Sequence, residues 1–321
     1  MLVDFTRIRS VEPRVRLLPQ PRGRASILHA SRLMRRISAS SGPEPHIVHV
    51  DDQSSEVYTS MLSHLSSAKA IAMDCEGRPT LCLMQMYAPA TERFPAAVYL
   101  VDPLADKRLL PGLKPVLEGS PLKILHDCLR DAAMLLDLTG ARLQPVLDTQ
   151  VAVAVFQLGG LKAIEGTATL TTAAGGWPNE LGLDEMMEAF GFQHKHKAEV
   201  HTLMNSRRAQ GMQTSLFCER PLSPALQEYA ATNVQYLITM AERMGCLDSL
   251  LCLALSQARA DMHYQVRPKK LASVKLEAAA KSIRYRIKES NSKAYKSKGD
   301  CNSHRRASKW LIELLNAFHN L

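Results

Sequence analysis

The chain has 321 residues, 46% of them hydrophobic, which is enough for one large domain with appendages or for two small domains. Lysine and arginine (40) outnumber aspartate and glutamate (31), and the net charge of +9 favours polyanionic partners such as nucleic acid. No apolar run approaches the roughly 18 residues that span a bilayer, so we expect no membrane-spanning segment and no membrane partner.

The basic residues are concentrated at both ends, and the first 45 residues are rich in arginine and poor in acids. This composition is typical of an organelle transit peptide and equally of a disordered basic arm. Both alternatives stay open, with a mitochondrial or plastid location in the first case and a nuclear or cytoplasmic one in the second. Seven cysteines without C-x-x-C spacing predict reduced thiols in an intracellular protein.

Residues 46–246 carry the alternating pattern of one α/β domain. After a short strand at Ile47–Val50 and a helix capped by Ser54 or Ser55, we predict five strands with helices between and after them. The strands are Ala70–Glu76, Leu81–Tyr87, Val98–Asp102, Lys123–His126 and Val146–Thr149. The predicted helices include Leu109–Leu117, one after Cys128 and one from Val151. Because only Gly77–Thr80 separates the first two of the five strands, we expect a hairpin there, and the whole order indicates a mixed sheet.

The second half of this domain is less regular. Residues 161–177 are predicted to form a loop, and an amphipathic helix from Leu181 ends at Gly191. The histidine-rich run from His194 to Lys197 is interpreted as a solvated loop, since it lacks a third well-spaced metal ligand. A later helix places Tyr229, Asn233 and Leu237 on one face.

Two carboxylates end the first of the five strands. Asp74 and Glu76 lie two residues apart, so their side chains should point to the same face of the sheet. Like charges at this distance repel each other unless a cation lies between them, and hard oxygen ligands suit Mg²⁺ or Mn²⁺. The alternative is a solvated strand end that turns at Gly77.

A second acidic segment follows the strand at Lys123–His126. It contains Asp127 and Asp131 at the junction with the next helix, where acids are favoured by the positive helix start. Asp127 occupies the position expected of an N-cap, and Asp131 lies one turn further on.

Together these segments resemble the DEDD 3′–5′ exonucleases, in the tyrosine-containing ribonuclease D and Werner-type branch, with the Egalitarian-like proteins as the nearest subgroup. The first motif is M-D-C-E-G at residues 73–77, followed by L-C-L-M-Q, and the second is K-I-L-H-D-C-L-R-D at residues 123–131. The stretches L-D-T-Q (147–150), L-G-L (181–183), R-P-L (220–222) and Y-A-A (229–231) complete the ordered set. The resemblance covers about Ile47 to Met244.

This resemblance implies a ribonuclease-H-like fold with a five-stranded mixed sheet and hydrolysis of phosphodiester bonds in RNA or DNA from a single-stranded 3′ end. Two divalent cations, Mg²⁺ or Mn²⁺, would be held by four residues, with Asp74 bridging both ions. Glu76 and Asn233 would hold the ion that activates water, and Asp131 would hold the other. Tyr229 would orient the attacking water.

The sequence departs from the family pattern at Asn233, where the third motif, Tyr-x-x-x-Asp, has its aspartate. The amide keeps an oxygen ligand but lacks the negative charge. Two interpretations follow: a slow exonuclease, or a nucleic-acid-binding or scaffold protein that retains the exonuclease fold. The turn after Glu76 is also shorter than is usual in the subgroup.

Residues 247–321 are predicted to be a helical, basic extension. Its first part is apolar, and from Arg267 onward lysines and arginines alternate with Tyr285 and Tyr295, a composition suited to phosphate contacts and base stacking. A solvated basic tail is the alternative. The apolar stripe from Trp310 to Phe318 predicts docking back on the domain or contact with a protein partner.

Overall fold

The computed structural model describes residues 44–77, 80–157, 181–212 and 214–261. The predictions for the basic arm up to residue 43, for the loop at residues 161–177 and for the extension beyond residue 261 lie outside the described residues.

A mixed six-stranded sheet forms the centre of the domain, in the order β1-β4-β3-β2-β5-β6. The strands are β1 (His46–Val50), β2 (Ala70–Glu76), β3 (Leu83–Ala88), β4 (Ala97–Val101), β5 (Leu122–Leu125) and β6 (Val146–Asp148). The β2–β3 and β3–β4 pairs are antiparallel and the other three pairs are parallel. The α/β class, the mixed sheet and the predicted hairpin are confirmed. The sheet has one strand more than the five expected, because β1 pairs with β4 from His46 opposite Ala97 to Val50 opposite Val101.

Ten α-helices connect or cover the described strands. They are α1 (Glu56–Ser67), α2 (Leu109–Gly112), α3 (Lys114–Leu117), α4 (Leu129–Thr139), α5 (Thr149–Gln157), α6 (Leu183–Ala189), α7 (Lys197–Ala209), α8 (Pro224–Gln235), α9 (Leu237–Arg243) and α10 (Leu250–Ala260). Ser55 caps α1, and Ser223 caps α8 with Pro224 as its first residue. The single helix predicted at Leu109–Leu117 is two short helices, with Leu113 between them.

The alternation of side chains along β2 divides its residues between two apolar cores. Ala72 belongs to the core that contains buried residues of α5, α8 and α9, whereas Ile71 and Met73 belong to the core on the opposite face, with residues of α1 and α4. Because Asp74 and Glu76 share the parity of Ala72, they point toward the face that α8 and α9 cover. The apolar pattern of the strand therefore aims both carboxylates at the same helices.

Helix α10, the first part of the predicted C-terminal extension, packs against β6, α5 and α4. Ser256 accepts a hydrogen bond from the backbone N–H of Asp148 at 2.9 Å, which ties this helix to the sheet. None of the helices in the described ranges is long and apolar enough to cross a membrane.

The prediction that the cysteines are reduced thiols is wrong for Cys82 and Cys218. Cys82, just before β3, forms a disulfide with Cys218, which ends the 3₁₀ turn Leu216–Cys218. The two Cα atoms are 5.0 Å apart, although 136 residues separate the cysteines in the chain. Spacing along the sequence could not show this pair, because the fold brings the two segments together.

Candidate active site

Asp74 and Glu76, at the end of β2, meet Asn233, which lies near the end of α8. The Nδ2 atom of Asn233 donates hydrogen bonds to Oδ2 of Asp74 at 3.1 Å and to Oε1 of Glu76 at 3.0 Å. Asn233 is 5% exposed, so this contact is shielded from solvent. The three side chains that the family motifs place together are therefore together, and the amide nitrogen occupies the space between the two carboxylates.

The other end of the Asn233 amide contacts His194. The distance from Nε2 of His194 to Oδ1 of Asn233 is 2.7 Å, and the side chain of His194 is only 2% exposed. The interpretation of this segment as a solvated loop is therefore wrong for His194, while α7 begins a few residues later at Lys197. A carboxylate oxygen of Asp184 lies 4.0 Å from the same ring nitrogen.

Tyr229 lies one turn before Asn233 on α8, and its ring packs on the ring of His194 with centroids 4.1 Å apart. Its hydroxyl oxygen is 3.4 Å from Nε2 of His201. Burial raises the pKa of Tyr229 well above its usual range, and the charges of Asp184, Glu76 and Asp74 raise it further. The phenol therefore stays protonated and able to donate a hydrogen bond at neutral pH.

Burial also raises the pKa of Asp74, to about 6, against hydrogen bonds from the backbone of Cys75 and the amide of Asn233, which lower it. The residue directly opposite Asp74 on β3 is Gln85, which is fully buried. Neither polar atom of the Gln85 amide has a hydrogen-bond partner within the described part of the chain. An unsatisfied amide beside a carboxylate of raised pKa is a costly arrangement in the folded chain.

Asp131 lies in the first turn of α4 and is 7% exposed. Burial raises the pKa of the Cys75 thiol, and the charges of Asp131, Asp74 and Glu76 raise it further. Within the described ranges, however, no three His, Cys, Asp or Glu side chains are close enough together to hold a metal ion. The structure thus brings together Asp74, Glu76 and Asn233, with Tyr229 beside them, but does not bring Asp131 into a three-acid group.

The residue types at this point fit a divalent cation. Two carboxylates and one amide converge from β2 and α8, and the amide nitrogen lies where a cation would satisfy both carboxylates. The buried, unpartnered amide of Gln85 is a further polar group beside Asp74. Asn233 itself would present an oxygen only after its amide rotates, since its nitrogen faces the acids.

The turn that leads into α4 is held by Asp148, the last residue of β6. Its carboxylate accepts hydrogen bonds from the backbone N–H groups of Asp127 and Cys128, both at 3.0 Å. Asp127 was expected to be the N-cap of the following helix, but it adopts a left-handed conformation (φ 60°) and pairs with Arg259 at 2.5 Å. The N-cap position belongs to Cys128, whose side chain makes no capping bond.

A cavity of about 380 Å³ opens beside Glu76. Its lining includes Met204, Arg207 and Arg208 of α7 and Leu216 of the 3₁₀ turn. Arg207 is paired with Glu219 and donates to the hydroxyl of Thr214 at 3.2 Å, whereas Arg208 is exposed. Cationic and apolar groups thus line a space that reaches Glu76 at the end of β2.

Sequence reasoning missed His194, Gln85 and Arg259 as parts of the site or its support. Gln85 is the last residue of the L-C-L-M-Q segment that follows the first motif. Its place in that segment is the one sequence feature that pointed to it. His194 stands in a histidine-rich run whose partner, Asn233, is 39 residues away, and Arg259 meets Asp127 across 132 residues. Contacts of that range leave no local pattern.

Residues 48–246 match the family model of the 3′–5′ exonucleases. No curated protein sequence matches the chain significantly.

Solved structures share the fold. Ribonuclease D of Trypanosoma brucei in complex with RNA U12 is 18% identical, with a TM-score of 0.55, and the alignment covers 79% of this chain and 82% of that one. The catalytic core of RRP6 from the same organism, as the mutant C496S, is 17% identical with a TM-score of 0.50, and the alignment covers 69% of this chain and 54% of that one. Since the family model spans well over half of the sequence and contains every motif described above, the chain belongs to the 3′–5′ exonuclease family.

Proposed function

We propose that the chain is a metal-dependent exonuclease that removes nucleotides from the 3′ end of single-stranded RNA, with a turnover lowered by Asn233. The observation that carries the proposal is the convergence of Asp74, Glu76 and Asn233 within 3.1 Å across 159 residues of sequence. Membership of the exonuclease family supports the reaction. The excess of 9 positive charges and the RNA bound to the ribonuclease D of similar fold support the substrate class.

Members of this family use divalent metal ions, typically Mg²⁺. Asp74, Glu76 and the amide oxygen of Asn233 would hold a divalent cation, and the family resemblance adds Asp131 as a further carboxylate for metal binding. Bound there, the cations would activate water and stabilise negative charge on the attacking and leaving oxygens.

The chain's own groups would prepare the substrate. The hydroxyl of Tyr229 keeps its proton because burial and three nearby acids raise its pKa, so it can donate a hydrogen bond that orients water or a phosphate oxygen. The cavity beside Glu76 offers space for the 3′ end of the RNA, and Arg208 at its rim supplies positive charge for a phosphate.

Asn233 lowers the expected rate for a physical reason. The family pattern has a fourth carboxylate here, so the site lacks one negative charge for its cations. The amide nitrogen also pairs with Asp74 and Glu76 and thereby competes with a cation for the same oxygens. Each factor of ten in rate corresponds to about 1.4 kcal/mol of barrier, so turnover falls tenfold for every 1.4 kcal/mol of cation stabilisation that the transition state loses.

A second candidate function is favoured by the same contact. Because the Asn233 amide already satisfies the two carboxylates, the fold can persist as an RNA-binding module with no turnover. Fluorescence anisotropy in EDTA and a cleavage assay in Mn²⁺ separate the two functions. Salt-dependent binding with no cleavage by the parent chain or by Asn233→Asp supports the binding module, whereas cleavage that Asp74→Asn abolishes supports the exonuclease.

A further inference from the structure

We propose that Gln85 is a positioning residue of the cation site, whose amide nitrogen donates a hydrogen bond to the carboxylate of Asp74 when that carboxylate binds a divalent cation. This inference rests on the proposed function, since it concerns the cation position proposed there between Asp74 and Glu76. Gln85 then replaces the hydrogen bond that Asp74 receives from Asn233 in this structure.

Gln85 lies beside Asp74 on the same face of the sheet. The antiparallel pairing of β2 and β3 places the two residues directly opposite each other. Leu83, two residues before Gln85, and Leu100, its partner on β4, belong to the core that contains buried residues of α8 and α9, so Gln85 points to that face. Of its two direct neighbours across the sheet, Asp74 and Leu100, only Asp74 can form a hydrogen bond through its side chain.

The amide of Gln85 carries an unused donor in the interior of the domain. The residue is fully buried, and neither its nitrogen nor its oxygen has a hydrogen-bond partner among the residues that the structure describes. A buried amide without partners destabilises the folded chain, whereas an apolar side chain of the same shape does not carry this cost. The amide is explained if a second state of the site satisfies it.

Cation binding supplies such a state. Oδ2 of Asp74 accepts a hydrogen bond from Nδ2 of Asn233 at 3.1 Å, and a cation between Asp74 and Glu76 takes the place of that nitrogen. Carboxylates that bind a metal ion are themselves held by hydrogen bonds from neighbouring groups. Residues directly opposite each other on antiparallel strands have Cβ atoms about 5 Å apart, so rotation of the Gln85 side chain brings its nitrogen to Asp74. The nitrogen is the end that faces the acid, because an ionised carboxylate only accepts hydrogen bonds.

The change Gln85→Met separates this role from a structural one, since methionine has nearly the same length and no amide. In the metal-free chain it removes two unsatisfied polar atoms, so the urea midpoint of unfolding should stay equal or rise. With Mn²⁺ it removes the donor that holds Asp74, so Mn²⁺ should bind about tenfold more weakly. The expected signature is therefore a loss of metal affinity without a loss of stability.

The experiment measures Mn²⁺ binding to the full chain by electron paramagnetic resonance of the free ion. The chains are the parent, Gln85→Met, Asn233→Asp and the double variant, because Asn233→Asp restores the fourth carboxylate of the family pattern and should bind Mn²⁺ more tightly. Urea unfolding in EDTA gives the stability of each chain without metal. Gln85→Leu provides a second chain that lacks the amide.

Gln150→Met is the matched control. Gln150 is 6% exposed, and its side-chain oxygen also lacks a hydrogen-bond partner within the described ranges. It lies on α5, which follows β6, and β6 is two strands away from β2 in the sheet. This control removes a buried amide away from Asp74 and should leave the affinity for Mn²⁺ unchanged.

The outcomes separate the inference from the function on which it rests. If Asn233→Asp binds Mn²⁺ and Gln85→Met leaves that affinity unchanged, the positioning role is overturned while the proposed function stands. The role is also overturned if both apolar variants unfold at lower urea than their parent chains, since Gln85 is then a structural residue. If neither the parent nor Asn233→Asp binds Mn²⁺, the proposed cation site fails and the inference fails with it.

Discussion

Asn233 and Glu76 lie 157 residues apart in the chain, yet the amide nitrogen of the first donates a hydrogen bond to the carboxylate of the second at 3.0 Å. The contact joins the end of α8 to the end of β2, and Asp74 shares it. In this arrangement an uncharged donor lies between two acids, at the position proposed above for a divalent cation. The lowered turnover proposed for this protein follows from that substitution.

The burial of Lys123 should make the stability of the protein depend on pH. It is fully buried on β5, its ammonium donates to the carbonyl oxygens of Val116, Gly119 and Gln144, and burial lowers its pKa to about 7. Between pH 7 and the unfolded value near 10.5, the unfolded chain binds more protons, so the free energy of unfolding should rise with pH. Below pH 7 both states are protonated and the contribution is constant.

The variant Lys123→Met should lose this dependence. Urea unfolding at pH 7.5, 8.5 and 9.5 should show the parent gaining about 1 kcal/mol per pH unit relative to Lys123→Met, below the limit of about 1.4 kcal/mol set by one proton. The exposed Lys69, changed to Met, is the control and should follow the parent. Parallel curves for the parent and Lys123→Met would show that the burial of Lys123 does not shift its titration.

Asp148 supports the segment that carries Asp131. Its carboxylate accepts from the backbone N–H groups of Asp127, Cys128 and Gln150, and lies 3.2 Å from Nη1 of Arg259. In Asp148→Asn an amide N–H₂ replaces one accepting oxygen, which leaves a buried N–H unsatisfied and removes a charge partner of Arg259. We expect the free energy of unfolding to fall by about 1–3 kcal/mol in chemical denaturation.

The exposed Asp51 offers the matched change, Asp51→Asn, which should alter stability by less than about 0.5 kcal/mol. Equal stability of Asp148→Asn and the parent would mean that the turn before α4 does not depend on this carboxylate.

Arg208 should contribute to RNA binding. It lies at the rim of the cavity beside Glu76 and is exposed, so its removal should weaken a phosphate contact without affecting the fold. Anisotropy titration of a labelled single-stranded RNA in EDTA should show weaker binding by Arg208→Ala and a reduction of the salt slope by about one. Lys69→Ala removes a charge just before the opposite end of β2 and should bind like the parent. An equal loss of RNA affinity in both variants would indicate a general effect of positive charge and would contradict a specific contact between Arg208 and the RNA.

Much of the fold could be predicted from local patterns. The strands at Ala70–Glu76 and Val146–Thr149 follow from short apolar runs next to turn residues, and the observed bounds differ by at most one residue. The approach of Asn233 to Asp74 and Glu76 required the family resemblance, because periodicity placed each residue on a face but did not pair the faces.

The remaining features arise from contacts that no local pattern records. His194 is buried because α8 and the segment before α7 pack together, although its neighbours in sequence are lysines and histidines. Asp127 fails as an N-cap because Asp148 and Arg259, supplied by β6 and α10, hold it in a left-handed conformation. The disulfide between Cys82 and Cys218 likewise depends on segments that meet only in the folded chain.

The most direct test is the rate at which nucleotides are released from the 3′ end of a 5′-labelled single-stranded RNA in Mn²⁺. Three chains are compared: the parent, the single variant Asn233→Asp, and the double variant that carries both Asn233→Asp and Asp74→Asn. We expect slow shortening by the parent and a rate at least about tenfold higher for Asn233→Asp, which corresponds to about 1.4 kcal/mol of barrier. We expect no shortening when Asp74 is also changed. No shortening by any of the three chains, or equal rates for all three, would contradict the proposed function.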